Sequence, residues 1–216
     1  MCPKSTSMVT GANDEIFLGG YVADDSLRNH YKLMVINING KKLWQRVYTS
    51  EGEINNITAT SQDNLVLAGS KWAFKMSPKG YILWEKPFDV NDSITTLTVL
   101  ADESCIFAGN RDSTKLFITK VTGAGAVSWT KEIQNENGFT VTKCFALPDG
   151  KFLMNCKSEV ENIVHVFNNE GILLKSMPVP EGSGLFDFAV DIQGNLLLQF
   201  NSADNILVLK NSGFIF

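Results

Sequence analysis

Short apolar runs follow one another along this chain, each set off by a polar turn. "EIFLGGY" begins at Glu15, "NLVLAGS" at Asn64, "SCIFAGN" at Ser104, "KFLMNCK" at Lys151 and "NLLLQFN" at Asn195. Their central residues are apolar at consecutive positions, the mark of a strand covered on both faces. β-Branched and aromatic residues dominate, and no stretch repeats with the 3.6-residue period of a helix. Between these runs a second marker recurs, a glycine closing a short turn: Gly40, Gly80, Gly125, Gly171 and Gly213, spaced 40, 45, 46 and 42 apart. The two markers alternate five times.

One unit, read in full, predicts four strands. In the second, "INNITAT" (54–60) is the first strand and "SQDN" a turn; "LVLAGS" follows as the second strand. "WAFKMS" (72–77) is the third, "PKG" turns again, and "YILWEKPF" is the fourth. Three units write Gly-x-x-x-Trp at the start of the fourth strand, at Gly40–Trp44, Gly80–Trp84 and Gly125–Trp129. Those tryptophans are expected to cover the seam to a neighbouring unit, and Trp72, which opens a third strand, to pack in the core. Four-stranded units of 40 to 50 residues repeated around an axis describe a β-propeller. The expected fold is therefore all-β, a single domain over 1–216, with about five four-stranded blades near 1–50, 51–90, 91–135, 136–180 and 181–216. The alternative is a five-unit piece of a ring of seven or eight blades.

Three features carry a family resemblance: the Gly-x-x-x-Trp, the lysine five residues before that glycine (Lys75, Lys120), and the "DNLVLAG" second strand. Together they resemble the pyrroloquinoline-quinone-type and seven-bladed β-propeller repeats of bacterial proteins. The resemblance spans essentially the whole chain and decays toward its end, where Lys175 occupies the tryptophan position after Gly171. It implies a propeller, and such repeats serve scaffolds, binding proteins and enzymes alike. It implies no bound quinone, because quinone enzymes of this kind use longer chains with calcium and acidic residues that have no counterpart here. No cofactor is expected.

Composition narrows the partners. The chain has 216 residues, a formal net charge of −4 and a pI near 5.2, so it lacks the basic excess that displaces counterions from nucleic acid. No run of 18 apolar residues is present to span a membrane. "MCPKSTSMVT" lacks an apolar leader segment, which makes the chain cytoplasmic as written, or exported if a leader has been removed upstream of Cys2. Cys2, Cys105, Cys144 and Cys156 form no CxxC pair and have no histidine at zinc spacing, so no metal site is expected. A hairpin centred on "LPDG" (147–150) sets Cys144 opposite residue 153 or 154, so a bridge to Cys156 requires slippage, and free buried thiols are expected.

Candidate functional residues fall in two groups. Aligning the first strands superposes Ser7, Asn56, Thr96, Lys143 and Asp187, one polar residue per unit. That ring either binds a small ligand or only solvates a central channel, with Lys143 and Asp187 paired. The loops joining second to third strands, and fourth strands to the next unit, gather at one end. The longest, "VADDSLRNHY" (22–31), brings together Asp24, Asp25, Arg28, Asn29 and His30. Loops on a rigid scaffold often carry binding.

Catalytic motifs are missing: no GxSxG, HExxH, P-loop or dinucleotide-binding glycine motif occurs, and "TGAGAV" (122–127) lies between strands. His165, inside "NIVHVF", reads as a core or strand-edge residue. The function expected is a non-enzymatic binding or protein-interaction module. Its alternative is a carbohydrate-active protein, a lectin or a hydrolase using channel carboxylates such as Asp187. "LKNSGFIF" stops three residues after Gly213, so the last blade is expected to lack most of its outer strand. The edge "NILVLK" (205–210) then pairs with a partner protein or a second copy.

Overall fold

Every regular element among the described residues is a β-strand, and the strands form five antiparallel sheets. A computed structural model describes residues 4–11, 14–26, 28–112, 114–179, 185–190, 196–200 and 206–209; for 4–6, 49–51 and the last three segments only the backbone is described. The first sheet contains β1 (Lys4–Thr10), β2 (Glu15–Ala23), β3 (Asn29–Asn37) and β4 (Lys42–Glu51). The second holds β5 (Asn56–Ala59), β6 (Leu65–Ala68), β7 (Trp72–Met76) and β8 (Ile82–Pro87). The third is β9 (Asp92–Val99), β10 (Cys105–Arg111), β11 (Lys115–Val121) and β12 (Val127–Gln134). The fourth is β13 (Thr140–Ala146), β14 (Phe152–Lys157), β15 (Asn162–Phe167) and β16 (Leu173–Pro178). The fifth is three-stranded, with β17 (Leu185–Val190), β18 (Leu196–Phe200) and β19 (Ile206–Leu209). In each sheet the strands lie in chain order. The expected edge segment 205–210 coincides with β19, the last described strand of this sheet, and 210–216 lie outside the described residues.

Two β-bulges recur in register. On the first strand the pairing skips a residue in four sheets, just before Ser7, Thr96, Lys143 and Asp187. On the fourth strand it skips Leu43, Leu83, Ser128 and Leu174, each just before the tryptophan position. A bulge sharpens the twist and bends the strand, so the first, third and fourth sheets curve at both their inner and outer edges, the second at its outer edge and the fifth at its inner edge.

Consecutive sheets pack face to face, with β1 against β5, β5 against β9 and β9 against β13. Three apolar clusters fill the joints. Phe17, Tyr31 and Leu33 meet Leu67, Phe74 and Met76 in the first, and Val66, Ala68 and Ala73 meet Phe107 and Phe117 in the second. Ile106, Leu116 and Ile118 meet Val141, Cys144 and Phe152 in the third. The strands β6 and β7 feed both neighbouring joints, which is why the sequence runs apolar at consecutive positions.

The Gly-x-x-x-Trp motif works between units. A Cβ on Gly80 would lie 2.9 Å from the Trp44 ring, one on Gly125 2.8 Å from Trp84, and one on Gly171 2.8 Å from Trp129. Each tryptophan thus lies on the turn glycine of the following unit. Those glycines have φ of 77°, 92° and 71°, so the turn needs glycine for its backbone as well as for the space. The Trp84 and Trp129 indole N–H groups donate to the carbonyls of Gly123 and Asn169, both at 3.2 Å. Lys175, in the fourth unit's tryptophan position, is exposed.

The repeated lysines are buried in the same joints. Lys75 Nζ donates to Glu103 Oε2 at 3.4 Å and to the Gly123 carbonyl at 3.5 Å. Lys120 Nζ donates to Asp102 Oδ2 at 3.1 Å and to Asn169 Oδ1. Adjacent carboxylates of one turn therefore hold a lysine from each of two sheets. Burial alone would raise the Glu103 carboxyl, but hydrogen bonds from Ser61 and Thr60, with the Lys75 ammonium, keep it below its ordinary value. Asp102 is likewise lowered against the opposing effect of burial, by Ser104 and Lys120. A lowered carboxyl stabilises the fold above its unfolded-state pKa and loses that contribution as pH falls through the folded value. Melting temperature is therefore expected to hold from pH 7 to about 5 and to fall below about pH 4.5. Glu103→Gln should lower it at pH 7 and flatten the acid limb; an unchanged limb in scanning calorimetry would remove Glu103 from the account.

Cys144 pairs with Met154 across the hairpin, the register expected, and Cys105, Cys144 and Cys156 are free and buried. Burial pushes the Cys105 and Cys156 thiols up to about 12, so neither is a thiolate at neutral pH. Cys2 lies outside the described residues.

Candidate functional site

The connections between second and third strands lie beside those leading into the next unit. Backbone amides join them: Gly52 N–H donates to the Asn29 carbonyl, Phe88 to Lys71, Asp112 to Asn91, Asn135 to Thr114 and Val179 to Asn162. All these segments sit at one end of the sheets. The first is shorter than its sequence suggested, because β2 runs to Ala23 and β3 starts at Asn29, leaving 24–28 between them. His30 therefore belongs to a strand. Tyr31, Leu33 and Val35 alternate as buried residues beyond it, and His30 itself pairs with Val22 across β2 and β3.

Asp24 organises this turn. Its carboxylate accepts from the Ser26 amide at 2.8 Å, the Arg28 amide at 3.0 Å, Arg28 Nε at 3.0 Å and His30 Nε2 at 3.2 Å. The Arg28 amide, then His30 and the other donors, hold its carboxyl well below the usual range. A carboxylate so saturated is a turn anchor, an Asx-type turn with added side-chain donors. Asp25 points outward and is exposed. Asn29 donates to Glu53 Oε1 at 2.7 Å, tying the turn to the segment that enters the second sheet.

A second charged group at this end was not singled out from the sequence. Arg111 grips the buried Asp92 through two of its three nitrogens, Nε to Oδ1 at 2.6 Å and Nη2 to Oδ2 at 2.9 Å. Its remaining arm reaches Glu132, which also accepts from Lys115 at 2.7 Å. Asp92 and Arg111 are direct partners across β9 and β10, so strand register brings them together.

The aligned first-strand residues have definite partners. Ser7 Oγ accepts from the Ile57 amide at 3.1 Å, and Asn56 Nδ2 donates to the Thr95 carbonyl at 3.0 Å. Thr96 Oγ1 accepts from the Cys144 amide at 2.9 Å, and Thr98 Oγ1 from Ala146 at 3.1 Å. In each case the bond crosses from one sheet to the next, so three of the five polar positions stitch inner strands together. Lys143 is half-buried on β13 and is also engaged. Asp187 lies at the matching place on β17, paired in register with Gln199. His165 sits half-buried, its Nδ1 2.9 Å from Ser176 Oγ, and burial lowers its pKa. No helix of the described residues is long and apolar enough to cross a membrane.

Solved structures share this arrangement of sheets. A protein of unknown function from Bacteroides caccae superposes with a TM-score of 0.60 at 19% identity, over 88% of this chain and 71% of its own. A virginiamycin B lyase from Staphylococcus aureus, in a catalytically inactive form with quinupristin, gives 0.71 at 14% identity, over 99% of this chain and 69% of its own. The Pan2 WD40 domain from Neurospora crassa gives 0.65 at 8% identity, over 95% and 60%. No protein-family model and no curated protein matches the chain. The sheets and these superpositions define the class of protein: an all-β repeat protein of the β-propeller type.

Proposed function

We propose that the chain is a binding and protein-interaction module, with five blades near 1–50, 51–90, 91–135, 136–180 and 181–216 built on repeats of the quinone-type and seven-bladed propeller pattern. The observation that carries this reading is a division of labour among the polar side chains. Ser7, Asn56 and Thr96 are engaged in stitching sheets, whereas the loop end keeps Asp25, Asp89, Asp112 and Glu159 exposed. These loops differ in length and chemistry while the sheets beneath them are alike, the usual layout of recognition on a rigid scaffold. The WD40 neighbour supports the reading at the level of fold. On it, Asp24, Asp25, Arg28 and His30 belong to the binding end, and Lys143 and Asp187 to the channel mouth, where a small ligand would enter, with Asn56 and Thr96 holding the strands beside them.

The lyase neighbour favours an enzyme. Its inactive form lacks a histidine; here His30 is bonded to Asp24 through Nε2, with its Nδ1 buried, and His165 to Ser176. The carbohydrate-active alternative rests on Asp187.

Both readings are open to one set of measurements. Charge reversal at Asp25, Asp112 and Glu159 together should weaken capture of a partner from the native source at least about ten-fold, with melting temperature held within about 2 °C. Undiminished capture would sink the loop-end reading. Glycan-array or hydrolase signals abolished by Asp187→Asn would establish the alternative in its place.

A further inference from the structure

Three turn glycines carry the tryptophan of the preceding unit, and Gly40 of the first unit is built like them. Its φ of 77° equals that of Gly80, and each amide donates to the carbonyl three residues back at 2.9 Å. A Cβ on Gly80, Gly125 or Gly171 would meet an indole at 2.9, 2.8 or 2.8 Å, whereas one on Gly40 meets nothing within 4 Å. Two residues before the glycine, the Gly123 and Asn169 carbonyls accept an indole N–H. The matching residue of the first unit is Ile38, which is 67% exposed.

The sheet behind this turn has the same character. Register sets Met8, Leu18, Met34 and Gln45 in one row across β1–β4, on the face opposite to Phe17, Leu33 and Val35. The equivalent row of the second sheet, Ile57, Leu67 and Phe74, is buried in the first joint. In the first sheet Leu18 and Met34 are only half-buried, as are Ile16 and Ile36 beside them, while Met8 is 71% exposed and Val47 50%. An apolar sheet face and a turn glycine are the receiving half of the interface that this chain repeats three times.

That interface takes an indole, and the four tryptophans of the chain are placed elsewhere. Trp44, Trp84 and Trp129 lie on Gly80, Gly125 and Gly171, and Trp72 packs against the first apolar cluster. A second copy brings the same four, engaged in the same way. The lyase of the same fold is longer, since 99% of this chain covers 69% of it. We propose that the outward face of the first sheet docks a four-stranded propeller unit of another polypeptide, whose outer strand carries Gly-x-x-x-Trp and seats its indole on Gly40. This surface is separate from the loop end, and its assignment does not rest on the loop-end reading.

Oxidation of methionine by peroxide, followed residue by residue in a mass spectrometer, reads the face. In the whole chain at micromolar concentration Met8 should oxidise at least about ten-fold faster than Met154, which is buried in the third joint. The probe is a copy of residues 4–52 carrying Met8→Leu, fused ahead of Lys4 of the whole chain, which brings a Trp44 to the original Gly40. It should slow oxidation of the original Met8 by about ten-fold, and Trp44→Ala in the added copy alone should undo most of that protection. Slow oxidation of Met8 in the unfused chain at every concentration would overturn the proposal, because the chain itself then covers the face. Protection that grows with concentration would overturn it in favour of a second copy. A fused unit that leaves Met8 reactive would show that no unit of this kind fits. Capture from the native source tests the occupant: the partner should carry Gly-x-x-x-Trp strands and be lost with Met34→Glu. No capture, or a partner that lacks such strands or tolerates Met34→Glu, would overturn the assignment to another polypeptide.

Discussion

Replacing Trp84 with alanine is expected to destabilise the chain by about 3 kcal/mol. The indole lies over Gly125 of the next unit, meets Phe107 edge-on at 6.4 Å between ring centres, and donates to the Gly123 carbonyl. Alanine removes the ring from the second joint and uncovers a glycine turn that nothing else covers in the same way. Trp84→Phe separates the contributions: it keeps an aromatic face and loses the N–H, and should cost about 1 kcal/mol. Urea denaturation of the two variants gives the comparison. A loss under 1 kcal/mol for the alanine variant would mean that the tryptophan–glycine contact is incidental to stability. Trp129→Ala should behave like Trp84→Ala, because Trp129 stacks on Phe152 and lies over Gly171.

Gly109→Ala should be at least as damaging, at about 3 kcal/mol or more. A Cβ on Gly109 would sit 1.9 Å from the Ser93 carbonyl oxygen, 2.9 Å from its carbon and 3.0 Å from the Thr95 nitrogen. Those are backbone atoms of β9 at its bulge, so no side-chain rotation relieves the clash. Gly138 is the control: nothing lies within 4 Å of its added Cβ, and only its φ of 65° is unfavourable for alanine. Gly138→Ala should cost about 1 kcal/mol. Similar losses for the two variants would show that β9 can shift to accept the methyl group.

Much of the fold was legible because each unit repeats the same local code. Runs such as "LVLA" over Leu65–Ala68 are buried at every residue, and turn glycines such as Gly80 lie at positive φ, so pattern and geometry agree position by position. The role of the tryptophans was only half visible. Gly80 and Trp84 are four apart in sequence, yet Trp84 rests on Gly125, a partner that emerges only once sheets are stacked. The polar residues of the first strands were superposed correctly but read as a ring around a channel. Ser7, Asn56 and Thr96 also bond to the backbone of the neighbouring inner strand, contacts between sheets that no single strand's pattern encodes. The Asp92–Arg111 pair escaped notice since the two residues open and close different strands, 19 positions apart, and only register joins them. At the loop end, a run of charged residues in 22–31 concealed the pairing with Val22 that makes His30 part of β3.

The tryptophan of one unit and the glycine of the next form a directional coupling, a donor on one side and an acceptor on the other. A duplicated segment from among the first three units therefore brings both halves with it and can be inserted between them without inventing a new interface. Lengthening by copying is the least demanding evolutionary route open to such a chain. Stability in the same architecture approximates a sum of intrinsic and nearest-neighbour terms. A lesion at Trp84 should then weaken cooperation between the second and third sheets and leave the first largely unaware of it, like a missing link that shortens a domino run without altering the other tiles.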